Sequence, residues 1–282
     1  MGNGFDSALG LTARRGPLAV LVKVVVYGLL IVVFAGPLLA LMVGAFTKVP
    51  DPTSLFSAGG FTLENFTRAF DRGVLGYLAN SFLVVGGGLL LQIAVSISAA
   101  YSLARKRFPL MKLVFLLVLS TMMLPEEVLA IPLSLVLSEV DLTGTLLGMI
   151  IPVGAWAFSI LVMTEFMKEI PVELEEAARL DGAGDLRVFW SVVLPLCRPA
   201  LGVIGIFGFT MIWDQYLLPL LVATDAQQFT LPLALRTLRS DEEVGVGVLL
   251  AAALLALLPS VLAFIAMQRQ FMRGLTSGAV KG

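Results

Sequence analysis

An all-α integral membrane protein with six spanning helices is the fold this sequence predicts. Three observations predict it: bulk composition, the number of long apolar runs, and the placement of positive charge. Of the 282 residues, 58% are hydrophobic and 14% are charged, whereas a soluble domain carries about 25% charged residues. Mean hydropathy is +0.96. A helix needs about 20 apolar residues to cross a bilayer core. Six stretches of a single transmembrane domain meet that need, at about 19–47, 75–104, 111–137, 142–166, 198–223 and 244–269.

Orientation follows from the 19 Lys and Arg residues. With the N-terminus in the cytoplasm, fourteen of them fall in inner segments. Five (Lys48, Arg68, Arg72, Arg236 and Arg239) fall outside. Positive charge is retained on the cytoplasmic side of membrane proteins, so both termini are predicted to be cytoplasmic. Arg14 and Arg15 precede the first span as they would in a signal peptide. The uncharged run Val24–Thr47 is longer than the roughly 7–15 residues of a signal-peptide core, so it is expected to remain as an anchor.

The second span, Val74–Ala104, is uncharged throughout, and Gly86, Gly87 and Gly88 cluster in it. The third carries Glu126 and Glu127, and the fifth carries Asp214 with Gly202, Gly205 and Gly208 at three-residue spacing. Small residues let helix backbones approach closely in lipid. Ionisable residues inside a span are costly and mark functional positions. At 1.5 Å per residue, Glu126 lies about 21 Å beyond Lys112 and Asp214 about 24 Å beyond Arg198. Both carboxylates then fall at similar depth, near Pro125, Pro132 and Pro219. Broken helices at membrane depth line cavities. Glu126, Glu127, Trp213, Asp214, Gln215 and Tyr216 are therefore candidate residues of a polar translocation path. Carboxylates and amides hydrogen-bond hydroxyl groups, and carboxylates repel anions in a low-dielectric path. That chemistry favours a neutral sugar or polyol. The structural alternatives are that the acids pair with another subunit or reach the outer membrane interface.

Several function classes are excluded. The chain has no histidine, which removes histidine acid–base chemistry and histidine metal sites. Its one cysteine, Cys197, permits no internal disulfide. A net charge of −1 offers no reason for nucleic-acid binding. A phosphate-binding loop ends in Gly-Lys-Ser/Thr, and no Gly-Lys pair occurs anywhere. No catalytic residue and no cofactor is expected in the chain itself, and the energy for transport must come from elsewhere.

The inner loop 169–197 reads EIPVELEEAARLDGAGDLRVFWSVVLPLC. Pro171 suits a helix start, and Glu173, Glu175 and Glu176 follow where the helix dipole favours negative charge. Gly182 after Asp181 supplies a left-handed terminus. A second helix is predicted from Asp185 to Val193, stopped or kinked at Pro195. The first helix is too short to be stable alone in water. Leu174, Ala177, Ala178 and Leu180 form an apolar face that needs a groove. The groove belongs to a cytoplasmic partner or the helix lies on the membrane surface; the acidic start weighs against anionic lipid.

The segment Val172–Pro195 closely resembles the signature of ABC-importer permeases. The matching positions are Glu176, Ala177 and Ala178, then Gly182 after three residues, then Val192, Val193, Leu194 and Pro195 after nine more. FTLENFTRAF (Phe61–Phe70), NSF (Asn80–Phe82), WDQYLLPL (Trp213–Leu220) and the tail from Gln268 to Gly282 resemble the carbohydrate, maltose-type branch. That branch usually carries Asn where Asp214 stands. The resemblance implies the type I importer permease architecture in a bacterial or archaeal cell membrane. It implies a coupling helix in which Glu176, Ala177, Ala178, Asp181, Gly182, Leu194 and Pro195 work against an ATPase. The implied partners are a second related permease, two ATPase subunits holding ATP and Mg, an extracytoplasmic substrate-binding protein, and membrane lipid. In maltose-type relatives the loop equivalent to Thr224–Glu243 probes the binding protein's ligand cleft, and the resemblance implies that role for Gln227 and Gln228 here. A glycerol-phosphate-type ester is the alternative substrate. An ion-coupled secondary transporter using the intramembrane acids is the alternative mechanism, although it leaves the cytoplasmic signature unexplained.

Overall fold

The computed structural model describes residues 17–48, 59–241 and 243–279. The expectations for Arg14, Arg15 and Lys281 lie outside the described residues. Among the described residues the chain is helical, with one isolated bridge between Thr47 and Phe61. In order, the helices are α1 (Pro17–Ala45), α2 (Glu64–Asp71), α3 (Val74–Arg105), α4 (Met111–Thr121), α5 (Glu126–Glu139), α6 (Leu146–Val153) and α7 (Ala157–Glu169). There follow α8 (Val172–Leu180), α9 (Asp185–Val188), a π-helix (Phe189–Val193), α10 (Leu194–Leu196), α11 (Arg198–Trp213) and α12 (Leu217–Val222). A 3₁₀ turn (Ala226–Gln228), α13 (Leu231–Ser240) and α14 (Val246–Ala279) complete the chain. Four stretches are long and apolar enough to cross a membrane: Val20–Ala45, Val74–Arg105, Leu146–Glu169 and Val246–Ala266. Two bent pairs, α4 with α5 and α9–α10 with α11, make six when each counts as one span.

The predicted third span is not straight. Its arms α4 and α5 meet at 106° across Met122–Pro125. Pro125 has no amide hydrogen and disfavours helical backbone in Leu124. Its own backbone is extended, with ψ 139°. Glu126 and Glu127 therefore open a new helix, where free amides and the dipole favour carboxylates. The depth computed for Glu126 along a straight helix is corrected by this bend. The fourth span is likewise interrupted between Val153 and Ala157. In the inner loop, Gly182 has φ +85°, as the helix terminus requires. Pro195 does not end the second helix. The chain widens into a π-turn in which the Leu194 amide bonds to the Phe189 carbonyl, and it continues to Leu196. A wider turn relieves the clash between a proline ring and the preceding turn.

Two compact units are present, Met1–Ala69 with Glu242–Leu254, and Phe70–Asp241 with Leu255–Gly282. In the first, Ala45, Ala251 and Leu254 pack with Leu41, Phe46, Phe66 and Leu250. Asn65 donates from Nδ2 to the carbonyls of Ala45 (3.0 Å) and Thr47 (2.9 Å). Gly247 leaves room for that amide, since a Cβ there would lie 2.6 Å from Asn65 Nδ2.

In the second unit α3 packs along α6, α7 and α11. Its small residues allow the approach. A Cβ on Gly87 would lie 2.9 Å from Ile150 Cδ1, and one on Gly88 would lie 2.7 Å from Val153 Cγ2. Gly86 faces open space. One cluster joins Val84, Val85, Met149, Val153, Ile212, Trp213 and Val222. A second joins Ala100, Met163, Met167, Val188, Val193, Cys197 and Ile204. The second cluster anchors the inner loop to the spans.

Candidate coupling surface and translocation cavity

Helix α8 has an unusual burial pattern. Glu175 is its one buried residue, while Leu180 is 90% exposed and Glu176 and Ala177 are exposed. Glu175 Oε1 lies 2.5 Å from Arg105 Nε, with side chains 2% and 9% exposed. Arg105 also donates from Nη2 to the Ile170 carbonyl at 2.8 Å. Arg179 is 3.6 Å from Glu175 and 3.3 Å from Asp185. Lys106 donates to Asp185 Oδ2 at 3.0 Å. This hydrogen bond and the neighbouring ammonium hold the Asp185 carboxyl below the usual range, and Asp185 raises Lys106 in return. A chain of charges thus ties α8 and the start of α9 to the end of α3. Asp181 and Gly182 are exposed in the turn, and Leu186, 76% exposed, follows. Leu194 and Pro195 sit past the π-turn, with Val193 fully buried in the cluster beneath.

At the other end of α3, Asn80 donates from Nδ2 to the carbonyls of Gln227 (2.7 Å) and Phe229 (3.0 Å). Ser81 Oγ accepts the Leu231 amide at 2.8 Å. Gln228 Oε1 accepts the Thr224 amide at 2.9 Å, so this glutamine folds back on its own loop. Gln227 is exposed. The predicted outer-loop pair is thereby split into one tethered and one free-facing side chain.

A cavity of about 320 Å³ opens between α4, α5, the α6–α7 break, α11 and α12. It is lined by Glu126, Gln215, Thr121, Trp156 and Met211 among mostly apolar neighbours. Gln215 Nε2 donates to Glu126 Oε2 at 3.4 Å. The bend in the third span and the interruption in the fourth contribute wall, which is why a cavity exists there. The other path candidates lie elsewhere. Glu127 and Asp214 are exposed. Trp213 is 3% exposed, donates to the Ala256 carbonyl at 3.1 Å and stacks on Phe209. Tyr216 accepts a hydrogen bond from Arg236, whose guanidinium lies over its ring. Sequence reading missed Arg105, Glu175, Asn80, Ser81 and Trp156. Glu175 carried no distinguishing signal: it stands three residues before Ala178 just as Glu173 stands four before Ala177, so spacing does not choose among the acids.

Comparison with known proteins decides the family. Residues 92–274 match the binding-protein-dependent transport system inner membrane component family. The chain belongs to that family. It is similar to the melibiose/raffinose/stachyose import permease MelC of Bacillus subtilis, 35% identical over 225 residues, covering 78% of this chain and 82% of that one. It is 38% identical over 200 residues to the sn-glycerol-3-phosphate transport system permease UgpE of Yersinia pestis, covering 70% and 71% of the two chains. Among solved structures it resembles a chain of a bacterial ABC transporter that imports the acidic polysaccharide alginate. There the TM-score is 0.78 at 19% identity, covering 95% of this chain and 98% of that one. The all-helical fold is thus that of type I ABC importer permeases, and the chain is an inner-membrane permease component. Family membership implies an ATPase and a binding protein as partners.

Proposed function

We propose that this chain is the permease subunit of an importer for a sugar, oligosaccharide or polyol, coupled to its ATPase through residues 172–195. The observation that carries the coupling is the inverted burial of α8, with its carboxylate Glu175 inside and Leu180 outside. An exposed apolar side chain on a short helix gains stability by entering a partner's groove. Glu176, Ala177, Asp181, Gly182 and Leu186 are exposed on the same loop, and Leu194 and Pro195 connect it to α11. ATP and Mg are bound by two partner ATPase subunits, and a second related permease completes the path. The chain holds no ATPase site of its own. With both termini cytoplasmic, Gln227 faces the outer binding protein.

The substrate reading is supported by Glu126, Gln215 and Trp156 around the cavity. A carboxylate and an amide suit hydroxyl groups, and an indole offers a flat apolar surface to a sugar ring. A similar permease is named for melibiose, raffinose and stachyose. The phosphate-ester alternative has its own support in the similarity to an sn-glycerol-3-phosphate permease. Co-expression with the ATPase tests the coupling. Leu180→Arg and Leu186→Arg are expected to abolish co-purification; an ATPase that still co-purifies with both variants overturns the docking role. Uptake of radiolabelled raffinose against sn-glycerol 3-phosphate separates the substrate classes.

A further inference from the structure

We propose that α3 is the element that transmits the binding-protein signal to the coupling helix, with Asn80 and Arg105 as positioning residues at its two ends. The proposal rests on the coupling role given above to residues 172–195 and adds the route by which an outer event reaches them.

The geometry points to α3 because it runs unbroken. Its neighbours in the same unit are interrupted: α4 and α5 bend by 106°, the fourth span breaks between Val153 and Ala157, and α10 meets α11 across a 68° bend. A broken span absorbs displacement at its break, whereas a continuous helix carries it. From Asn80 to Arg105 the rise is about 38 Å at 1.5 Å per residue, enough to cross the apolar core.

Both ends grip backbone. At the outer end, Asn80 and Ser81 take the carbonyls of Gln227 and Phe229 and the amide of Leu231 at 2.7, 3.0 and 2.8 Å. These bonds hold the segment that faces the binding protein, and they hold it whatever its side chains are. At the inner end, Arg105 takes the Ile170 carbonyl at 2.8 Å and Glu175 at 2.5 Å. One guanidinium therefore fixes the residue before Pro171 and the middle of α8 together. Between the ends, Gly87 and Gly88 bring α3 against Ile150 and Val153, so any shift of its axis is also felt at the wall of the cavity. A load on 227–231 reaches Glu175 through three hydrogen bonds, one helix and one ion pair.

The test uses the complete complex in proteoliposomes, with ATP hydrolysis measured with and without the loaded binding protein. Asn80→Ala removes the outer grip at a half-buried position. It is expected to cut binding-protein stimulation about tenfold, within the usual range of coupling between distant sites, with basal hydrolysis and binding-protein affinity unchanged. Arg105→Lys keeps the charge but loses the forked geometry, and is expected to cut the stimulation by a similar factor. The double variant is expected to be no worse than either single one, because both cut one route. Stimulation within twofold of wild type in Asn80→Ala overturns the proposal. So does a loss of stimulation that weaker binding-protein affinity fully explains, or losses that multiply in the double variant. If Leu180→Arg and Leu186→Arg leave the ATPase bound and transport intact, the coupling reading fails instead, independently of the α3 result.

Discussion

Arg105 Nε lies 2.5 Å from Glu175 Oε1, and the two side chains are 9% and 2% exposed. This pair joins the end of a membrane span to the middle of a cytoplasmic helix. Two ions taken from water need each other's charge and further hydrogen bonds to offset desolvation. Arg105 finds one at the Ile170 carbonyl, and Glu175 has Arg179 at 3.6 Å.

Removing one member of the pair leaves the other buried and uncompensated. Glu175→Leu is expected to destabilise the chain by about 3 kcal/mol. Arg105→Met with Glu175→Leu is expected to recover most of that loss. Thermal unfolding of the purified complex measures both, and equal losses in single and double variants would contradict the pairing.

Glycine positions differ sharply in tolerance. A Cβ on Gly148 would lie 2.3 Å from the Leu142 carbonyl oxygen and 2.9 Å from Val222 Cγ1. Backbone cannot yield as a side chain does, so Gly148→Ala is expected to cost about 2 kcal/mol or more. Gly86→Ala meets nothing within 4 Å and is expected to be neutral or to stabilise by up to about 1 kcal/mol. Melting temperatures of the two variants check the contrast.

Glu126 and Gln215 meet across the cavity at 3.4 Å. If hydroxyl groups of the substrate take their place, Glu126→Leu raises the transport KM about tenfold, the loss of one hydrogen bond to a charged group. Asp214→Asn is expected to alter transport kinetics while the complex still assembles. Uptake curves decide both, and unchanged KM in Glu126→Leu removes the cavity from the path.

The inner loop carries a pH signature at its exposed pair. Asp185 is held below its ordinary value by Lys106, so its contribution is present above the unfolded carboxylate pKa and is lost as pH falls through the folded one. Lys106 is held above its ordinary value by Asp185, so its contribution is full below the unfolded lysine pKa and is lost as pH rises through the folded one. Loop protection in hydrogen exchange is therefore expected to be flat between about pH 5 and 9 and to weaken in acid below about pH 4. Lys106→Ala flattens the acid limb. High salt weakens the pair as well, because both side chains are exposed.

Sequence alone determined the class of this protein. Long apolar runs, charge asymmetry and the spacing from Glu176 to Pro195 are one-dimensional features, and hydrophobic length and helix punctuation act locally along the chain. Gly182 at φ +85° and the acids at the start of α8 were legible for that reason. Tertiary structure decided where the chain breaks and what each charge meets. Pro125 predicted a disturbance in the third span but not a bend of 106°, since the angle depends on what α5 packs against. The three acids of α8 look alike in sequence; only the position of Arg105, 70 residues earlier in the chain, selects Glu175 for burial. Trp213, Asp214, Gln215 and Tyr216 are adjacent in sequence, yet the helix break after α11 sends one into the core, one to the surface, one to the cavity and one to Arg236. Helix direction changes separate neighbours and long-range packing unites distant residues, and neither is written in local spacing.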